Sequence, residues 1–518
     1  MLFGFRGIRL FQVIMAFAAT VSGIGAVVTL KAISDGGGWW MLPVALILGG
    51  VLFFSYSYFY QAGGWNQNGR FALVRAILEQ GTLRIDSYAD CTGDRSLWQG
   101  HYYCDKAPGA SLLALAPVAA ARIVARARGV DPASARGIAW TSYVAGLATS
   151  ALFTVVAALG VFWLSVHWGA SRSAAIFAAT AYGVATPAWS YATVFVGHAV
   201  TSGCLIAAFA ASIALADNPR RRTPLAWAVG LLGGLAVVTE FPAAPAVLVI
   251  VILAVASVYA TDRRATLRVG VHIVASGAVM ALILMAYHNA AFGSPFRLGY
   301  SSEDSLEGIA MQQGIFGVSG PSWHVLYEVL IGAYRGLLPL APLLAVAPLG
   351  LVWLARGRQQ WRPALAAATI GAYYLLLNVS YVYWEGGWFV GPRHLVPGIA
   401  FVALGLAPLW DVGRSAGRAL LIAGWMWGAA LGLIAVSTNP QPPSDIMRPV
   451  IEFMWPAFID GDLSMNPQAF TDYAADSGLM RHHPSAHAAW NLGELVGLHG
   501  LVSLLPLLAL WCLAALLL

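Results

Sequence analysis

The sequence predicts an all-α polytopic integral membrane protein with about 12–14 spans and short juxtamembrane helices in its extracytoplasmic loops. Hydrophobic residues make up 59% of the 518 residues and charged residues 10%, and the mean hydropathy is +0.71. Soluble domains carry about 25% charged residues. Long apolar runs alternate with short arginine-bearing loops. The net charge of +6 therefore reflects membrane topology and does not indicate binding to nucleic acid.

The first half of the chain alternates apolar runs with one long polar segment. Apolar runs cover 10–32, 40–59, 110–121, 138–165 and most of 174–216. The polar segment, 61–107, contains an amphipathic helical pattern at 70–79. The number of spans here stays open: either the N-terminus lies outside, or one run does not span, or a segment such as 110–126 lies flat on the membrane surface.

The second half has a clearer order. The run 225–260 is too long for one span and is interrupted at Glu240-Phe241-Pro242, so we expect a hairpin of two helices with Glu240 at its tip. Further spans are expected at 269–287, 336–355, 363–382, 396–411 and 419–437, with a last one ending at Leu518.

The charges predict which ends of these spans share a side. Arginine clusters at 220–222, 263–268, 356–362 and 414–418 fall on one side, and the polar segments 288–335, 383–395 and 438–493 fall on the other. Under the positive-inside rule the long segments are extracytoplasmic. We expect one membrane domain, 1–518, with 61–107, 288–335 and 438–493 as its main extracytoplasmic loops.

The segment GHYYCDKAPG, residues 100–109, stands where the first polar segment meets an apolar run. Its Lys106 is one of two lysines in the chain. An ammonium framed by aromatic residues at a membrane boundary suits a lipid-linked phosphate. The alternative is a lysine that extends to the interface only to keep its charge in water.

Acidic and thiol side chains precede this lysine. Asp86 and Asp94 are candidate bases, since a carboxylate beside a phosphate-binding cation can take the proton from an attacking hydroxyl. Cys91 and Cys104 would form a disulfide if the segment faces an oxidising compartment, and would otherwise remain thiols. Glu240 is a further candidate, because a carboxylate at membrane depth is costly.

Several segments resemble the GT-C superfamily of polyprenyl-phosphate-sugar glycosyltransferases, in the branch of protein mannosyltransferases and the lipid A aminoarabinose transferase. GHYYCDKAPGASLLALAP (100–117) resembles the end of that branch's first loop, and WNQNGRFALVRAILEQGTL (65–83) its opening helix. The resemblance implies that Lys106 and Arg70 bind the donor phosphate. Asn66 and Asn68 stand where that branch has its acid, so Asp94 is the first choice of base, with Asp86 and Glu240 as alternates.

Later segments resemble further loops of the same group. ATPAWSYATVFVGHA (185–199) implies a cavity role for His198, and WEGGWFVGPRHLVP (384–397) implies that Arg393 binds the phosphate. FGSPFRLGY (292–300) and YRGLLPLAP (334–342) resemble its middle loop. With these loops, the substrate-binding residues expected are Asn66, Asn68, Tyr102, Tyr103, His198, Glu385 and His394.

The resemblance implies a membrane glycosyltransferase, by direct displacement an inverting one, that moves a sugar from a polyprenyl-phosphate donor to a cell-envelope glycan, glycolipid or protein. The expected location is a bacterial plasma membrane, with the site facing outward among membrane lipids. A glycan polymerase or ligase, or a lipid-linked sugar flippase or transporter, remains the alternative. No cofactor is required; a divalent metal is possible, although no ligand spacing specifies one and His482, His483 and His487 fit a surface loop better.

Overall fold

A computed structural model describes residues 40–302, 313–314, 316–466 and 488–518. The predicted span at 10–32 and the three histidines at 482–487 lie outside these residues. The α-helices are α1 Met41–Ser57, α2 Trp65–Arg75, α3 Gly109–Ala127, α4 Ala135–Gly146, α5 Leu152–His167, α6 Arg172–Val184, α7 Ala188–Ala192, α8 Gly197–Asp217, α9 Arg222–Thr239, α10 Ala244–Thr261, α11 Arg263–Phe292, α12 Trp323–Leu330, α13 Leu337–Leu340, α14 Leu343–Ala355, α15 Trp361–Val379, α16 Val396–Ala403, α17 Leu406–Val412, α18 Ser415–Thr438, α19 Trp455–Asp460, α20 Leu492–Leu495 and α21 Leu505–Leu517.

The predicted helical membrane fold is confirmed. Within the described ranges, nine helical segments have the length and apolarity needed to cross a membrane, and two shorter apolar helices, α1 and α14, accompany them. Two short antiparallel sheets complete the fold: β1 Phe59–Tyr60 pairs with β4 Trp490–Asn491, and β2 Arg95–Trp98 pairs with β3 His101–Cys104.

The bundle has two chemically different ends. At one end, helix termini are tied by polar contacts that include His167 with Asp217, Arg222 with Asp262, and Arg172 with the carbonyl of Leu518. The arginine clusters of the second half lie at this end, which we call the arginine end. The opposite termini of the same helices, such as the start of α8 and the junction of α9 with α10, meet at the other end.

Helix α3 does not cross the bundle, although it is long and apolar enough to do so. It begins against Thr239 at the end opposite the arginine end. The helix formed by α4 and α5 ends at the arginine end with His167, and its Tyr143 already meets Ser57 near the other end. At 1.5 Å per residue, Ala135 lies a further turn or two outward, so the short link from α3 stays on that side. Helix α3 therefore lies along the membrane surface, one of the alternatives left open by the sequence.

The core lies where α8 is enclosed by α5, α9, α10 and α16. Nearly all of α8 is buried, and its residues are small: alanine, glycine, serine and cysteine dominate the run 197–217. Small side chains let helix backbones approach closely in a membrane, where apolar burial does not by itself drive association. Helix α8 therefore anchors the surrounding helices and carries His198 into the end opposite the arginine end.

Candidate active site

A cavity of about 360 Å³ opens at the end of the bundle opposite the arginine end. Its walls come from the first loop (58–134), the junction of α9 with α10, the start of α8, residues 298–300 and 316–318, the end of α15, the start of α16, and the loop 380–395, called here the late loop. Its polar side is formed by Asn66, Arg70, Lys106, His198, Glu240, Arg393 and His394, and its other side by Phe241, Pro242, Pro245, Leu298, Tyr300, Phe316, Val318, Tyr373, Tyr374, Leu377, Tyr381 and Pro397. The cavity thus combines a cationic half with an apolar, aromatic half.

Arg70 of α2 is almost fully buried and fixes one corner of the polar half. Its guanidinium donates to Glu240 Oε1 at 2.8 Å, to the carbonyl of Ala107 at 3.0 Å and to Asn66 Oδ1 at 3.2 Å. These three bonds join α2, the end of the first loop and the α9–α10 junction. Arg70 therefore has a structural role, because its hydrogen bonds join elements that are far apart in sequence.

Glu240 reaches the cavity because the helical run breaks at it, as the sequence predicted. Its backbone is extended, with φ −146° and ψ 113°, between α9 and a turn that contains Pro242. Burial raises the pKa of Glu240 above its ordinary value, although the charges of Arg70, Arg393 and Lys106 act in the opposite direction. A carboxylate with a raised pKa that remains ionised is a better proton acceptor than an exposed one.

The start of α8 packs directly on this carboxylate. A Cβ at Gly197 would overlap Glu240 Oε1, so only glycine allows the approach. The next residue, His198, has its Nδ1 3.7 Å from the same oxygen, and its ring stands 5.8 Å from that of His394. His394 in turn has Nε2 3.3 Å from the carbonyl of Tyr383.

Lys106 lines the cavity, but its ammonium is shared between two carboxylates. Nζ lies 2.6 Å from Asp105 Oδ2 and 3.3 Å from Asp94 Oδ2, and it stands 5.3 Å above the ring of Tyr300. Asp105 is completely buried. Asp94 also accepts from Asn66 Nδ2 at 3.3 Å. Asp94 therefore neutralises and positions Lys106 from behind, and it is not among the side chains that line the cavity.

The predicted disulfide is wrong: Cys91 and Cys104 are both buried thiols, and no bond joins this described pair. The loop between them is closed by the β2–β3 hairpin instead. In its register Cys104 pairs with Arg95, and Sγ of Cys104 lies against the carbonyl of Lys106. The Asn68 amide holds the carbonyl of Cys91 at 2.7 Å. Burial raises the pKa of Cys104 to about 12, so this thiol is unreactive.

Arg393 of the late loop differs from the other two cations. It is buried, its guanidinium lies 5.7 Å from the ring of Tyr383 and 5.6 Å from that of Phe389, and its Nε has no hydrogen-bond partner within the described residues. A buried guanidinium with an unused donor is costly unless a ligand supplies the acceptor. Arg393 is thus equipped to receive an anion.

Glycine turns and a second arginine hold the late loop. Gly386 has φ +69° and packs on the Arg393 side chain so tightly that a Cβ would lie 2.8 Å from its Cγ. Arg335, with no exposed surface, donates from Nη2 to the carbonyl of Gly387 at 2.6 Å and from Nε to that of Glu385 at 3.2 Å. Arg335 thus fixes the turn against which Arg393 lies.

The link before α2 is held by buried amides. The carbonyl of Gly63 accepts from Gln67, Gln441 and Asn466, each at 3.0 Å, and Gln61 donates to the carbonyl of Val436 at 2.7 Å. These bonds tie the start of α2 to the end of α18 and to the chain beyond it. The position of Arg70 is therefore determined by residues from opposite ends of the sequence.

Several predicted site residues do not reach the cavity. Asp86 lies on the outside of the first loop, where it accepts from His101 Nδ1 at 2.8 Å and from the backbone of Tyr102. The ring of Tyr102 stacks under Arg95, and that of Tyr103 packs on Phe292. Asn68 is buried and donates to the carbonyl of Cys91, and the backbone carbonyl of Glu385 accepts from Arg335.

Other cavity residues were not expected from the sequence. Tyr300, Tyr373, Tyr374 and Tyr381 come from segments remote from the lysine motif. The hydroxyl of Tyr374 is buried without a partner within the described residues, and that of Tyr373 donates to the carbonyl of Pro242 at 2.6 Å, which links α15 to the start of α10. A tyrosine at the polar end of an apolar run is a weak signal, because interfacial tyrosines are common in any membrane protein.

Within the described ranges, no group of three or more histidine, cysteine, aspartate or glutamate side chains could hold a metal ion. The carboxylates of the site are each engaged by a cation: Glu240 by Arg70, and Asp94 and Asp105 by Lys106.

No model of a known protein family and no curated protein matches the chain. Among solved structures it is similar to ArnT from Cupriavidus metallidurans bound to undecaprenyl phosphate, with 17% identity over 82% of this chain and 70% of ArnT and a TM-score of 0.49. ArnT in the apo state is 16% identical to this chain over 86% of this chain and 72% of ArnT, with a TM-score of 0.47. A third similar structure is that of the archaeal oligosaccharyltransferase AglB from Archaeoglobus fulgidus in complex with an inhibitory peptide and a dolichol-phosphate. It is 12% identical to this chain over 76% of this chain and 56% of AglB, with a TM-score of 0.44.

Proposed function

We propose that the protein is a membrane glycosyltransferase that takes a sugar from a polyprenyl-phosphate donor and transfers it to a cell-envelope glycan, glycolipid or protein. One observation carries the proposal: Arg70, Lys106 and Arg393 converge on a cavity that also holds the Glu240 carboxylate and has an apolar half. A ligand that fits must be anionic at one end and apolar at the other, as a lipid-linked phosphate is.

Arg393 is the main contact to the phosphate in this proposal. Arg70 and Lys106 already have carboxylate partners, whereas Arg393 Nε has an unused donor. The planar guanidinium can meet two phosphate oxygens at once. The prenyl tail extends along Phe241, Pro242 and Tyr373 between α10 and α15, where it leaves the cavity toward the lipid.

The transfer is a direct displacement at the anomeric carbon. Glu240 accepts the proton of the acceptor hydroxyl, the acceptor oxygen forms a bond to the anomeric carbon, and the bond from that carbon to the phosphate oxygen breaks. The electron pair leaves with the polyprenyl phosphate, whose added charge Arg393, Lys106 and Arg70 stabilise. The anomeric configuration inverts. Asp94 is the second candidate base. It ranks behind Glu240 because its carboxylate is bonded to Asn66 and Lys106, and both contacts would have to break before it could accept a proton from the acceptor.

The charges support the proposed sidedness. The arginine clusters of the second half lie at the end of the bundle opposite the cavity, and under the positive-inside rule this favours an extracytoplasmic position for the cavity. In a bacterial cell this is the outer face of the plasma membrane. A donor anchored in that leaflet and an envelope acceptor both have access from there.

The test is transfer from defined donors. The purified protein in liposomes is given polyprenyl-phosphate donors carrying a radiolabelled sugar, with mannose and arabinofuranose first, together with membranes from cells that lack the protein as the source of acceptor. We expect label to move from the donor to the membrane fraction with release of polyprenyl phosphate. Glu240→Gln should lower the rate by roughly 10²–10⁴-fold, and Asp94→Asn by less.

A binding measurement with the lipid phosphate distinguishes an unsuitable sugar donor in the transfer assay from an incorrect proposed function. Undecaprenyl phosphate alone should raise the melting temperature of the wild type and should do so less for Arg393→Met. If the lipid phosphate neither stabilises the protein nor competes with any donor, the proposal fails. If it binds and no sugar moves, the protein is a lipid-phosphate binder or transporter instead.

A further inference from the structure

A second large groove lies at the arginine end, between the same two helices that border the cavity. It encloses about 570 Å³ between α10 and the start of α15. One wall is aliphatic, formed by Val251, Ile252 and Val255 of α10, and the groove ends at Tyr259, Arg263 and Arg362. Ile252 is more than half exposed. The groove therefore has an apolar floor along the span and a basic end at its mouth.

The two guanidinium groups at the mouth are available to an anion. Arg263 lies 4.8 Å from the ring of Tyr259, and Arg362 lies 5.2 Å from that of Trp361. Within the described residues neither has a carboxylate within ion-pair distance. The adjacent acid, Asp262, is already engaged, because it caps the start of α11 and pairs with Arg222 at 2.6 Å.

The start of α15 adds to this positive charge. Helix α15 is 19 residues long, and the side chain of its first flanking residue, Gln360, does not cap it. The N–H of Trp361 already donates to the carbonyl of Gly357 and Pro363 has no N–H, so the helix start contributes the positive end of its dipole, close to the Arg362 that borders the mouth. Two free guanidinium groups and an uncapped helix start together favour a phosphate at this position.

We propose that this groove binds an anionic phospholipid of the leaflet at the arginine end, with its phosphate between Arg263 and Arg362 and its acyl chains along Val251, Ile252 and Val255. Charge complementarity and the continuous aliphatic wall select this occupant. A soluble anion would use only the mouth, and a zwitterionic lipid would bring its own cation toward the arginines. The lipid bridges α10 and α15 at the end remote from the cavity. At the cavity itself, the hydrogen bond from Tyr373 to the carbonyl of Pro242 already joins these two helices.

Lipid titration of the purified, delipidated protein tests the site, with native mass spectrometry to count bound molecules. The probes are phosphatidylglycerol and phosphatidylcholine with identical acyl chains. Arg263→Ala/Arg362→Ala should weaken phosphatidylglycerol binding roughly 30-fold, since each arginine contributes about fivefold at a membrane surface. Binding of phosphatidylcholine should not change, and inorganic phosphate should not compete at equal concentration.

The chain offers a matched control. Arg264→Ala/Arg358→Ala removes two exposed arginines from the same two segments, and neither of them lines the groove. This pair should bind phosphatidylglycerol within roughly twofold of the wild type. Arg263→Lys/Arg362→Lys keeps both charges and should retain most of the binding, which guards against loss of folding in the alanine pair. Equal losses in the two alanine pairs, or no preference of the wild type for phosphatidylglycerol, would overturn the proposal.

Discussion

Compared with the first loop, the late loop holds its cation without a carboxylate. Arg70 and Lys106 are each bonded to buried or nearly buried acids, at 2.8 Å and 2.6 Å. Arg393 is held by aromatic rings and glycine turns, and its Nε remains unused within the described residues. The two cations of the first loop are largely committed to holding the structure together, whereas the cation of the late loop is kept in reserve for a ligand.

The difference has an energetic cause. A buried charge needs a partner, and removing one member of a buried pair costs about 3–5 kcal/mol because the other is left uncompensated. The charge of Arg393 is compensated only in part, by the rings of Tyr383 and Phe389 and by the longer-range charge of Asp94. An anionic ligand would therefore bind most strongly at Arg393, and a variant at each cation should show which contribution dominates.

The largest expected effect separates stability from activity. Arg70→Met should lower the free energy of unfolding by about 3–5 kcal/mol, because Glu240 then lies buried without its partner. Arg393→Met should leave the melting temperature in detergent close to the wild type and lower the transfer rate roughly hundredfold or more. Thermal unfolding and transfer assays on both variants measure this. Equal destabilisation by the two variants would remove the distinction between the loops.

The second prediction concerns the contact of α8 with Glu240. Gly197→Ala should force the carboxylate or the helix to shift, at a cost of about 1–3 kcal/mol, with a clear loss of transfer. Gly146→Ala is the matched control, because a Cβ there meets open space and Gly146 has no positive φ. The two variants are compared by melting temperature and by transfer rate. Full activity in Gly197→Ala would mean that the position of Glu240 does not matter for the reaction.

The sequence was sufficient for the residues whose chemistry is unusual in a membrane chain. Lys106, Glu240 and Arg393 are charges at or within apolar runs, Arg70 was indicated by the resemblance of residues 65–83, and all four line the cavity. The break at Glu240 was also predictable, since Pro242 cannot continue the helix. The helical membrane fold followed from composition alone.

The remaining parts depend on contacts that local sequence does not encode. The pairing of Lys106 with Asp94 and Asp105 arises from a hairpin whose turn, Gln99-Gly100, has positive φ at both residues. Gln-Gly is not one of the residue pairs that signal a hairpin turn, so the register that pairs Cys104 with Arg95 could not be read from the sequence. The tyrosines of the apolar half come from distant segments, and only the packed fold brings them together.

The third prediction uses pH to sharpen the comparison. Glu240 must be ionised to accept a proton, and its pKa is raised by burial, so transfer should fall as the pH drops through a value above the ordinary 4.5. The charge of Arg393 lowers the pKa of Glu240. Arg393→Met should therefore move the acidic limb of kcat/KM to higher pH, and Arg393→Lys should leave it nearer the wild type. An identical limb in all three proteins would mean that ionisation of Glu240 does not set the acidic limb.

The smallest effect is expected at the cysteines, where the first loop is closed by a hairpin and not by a covalent bond. Because Cys91 and Cys104 are thiols, reductant should not change the melting temperature, and Cys91→Ser should retain transfer. The pKa of about 12 for Cys104 keeps it protonated at pH 8, so alkylation of the folded protein should be slow there and fast after unfolding. Mass spectrometry of alkylated peptides gives both rates. A drop of several degrees in the melting temperature on reduction would instead mean that a disulfide stabilises the loop that carries Asp94 and Lys106. The first loop would then be held covalently, and the late loop by the hydrogen bonds of Arg335.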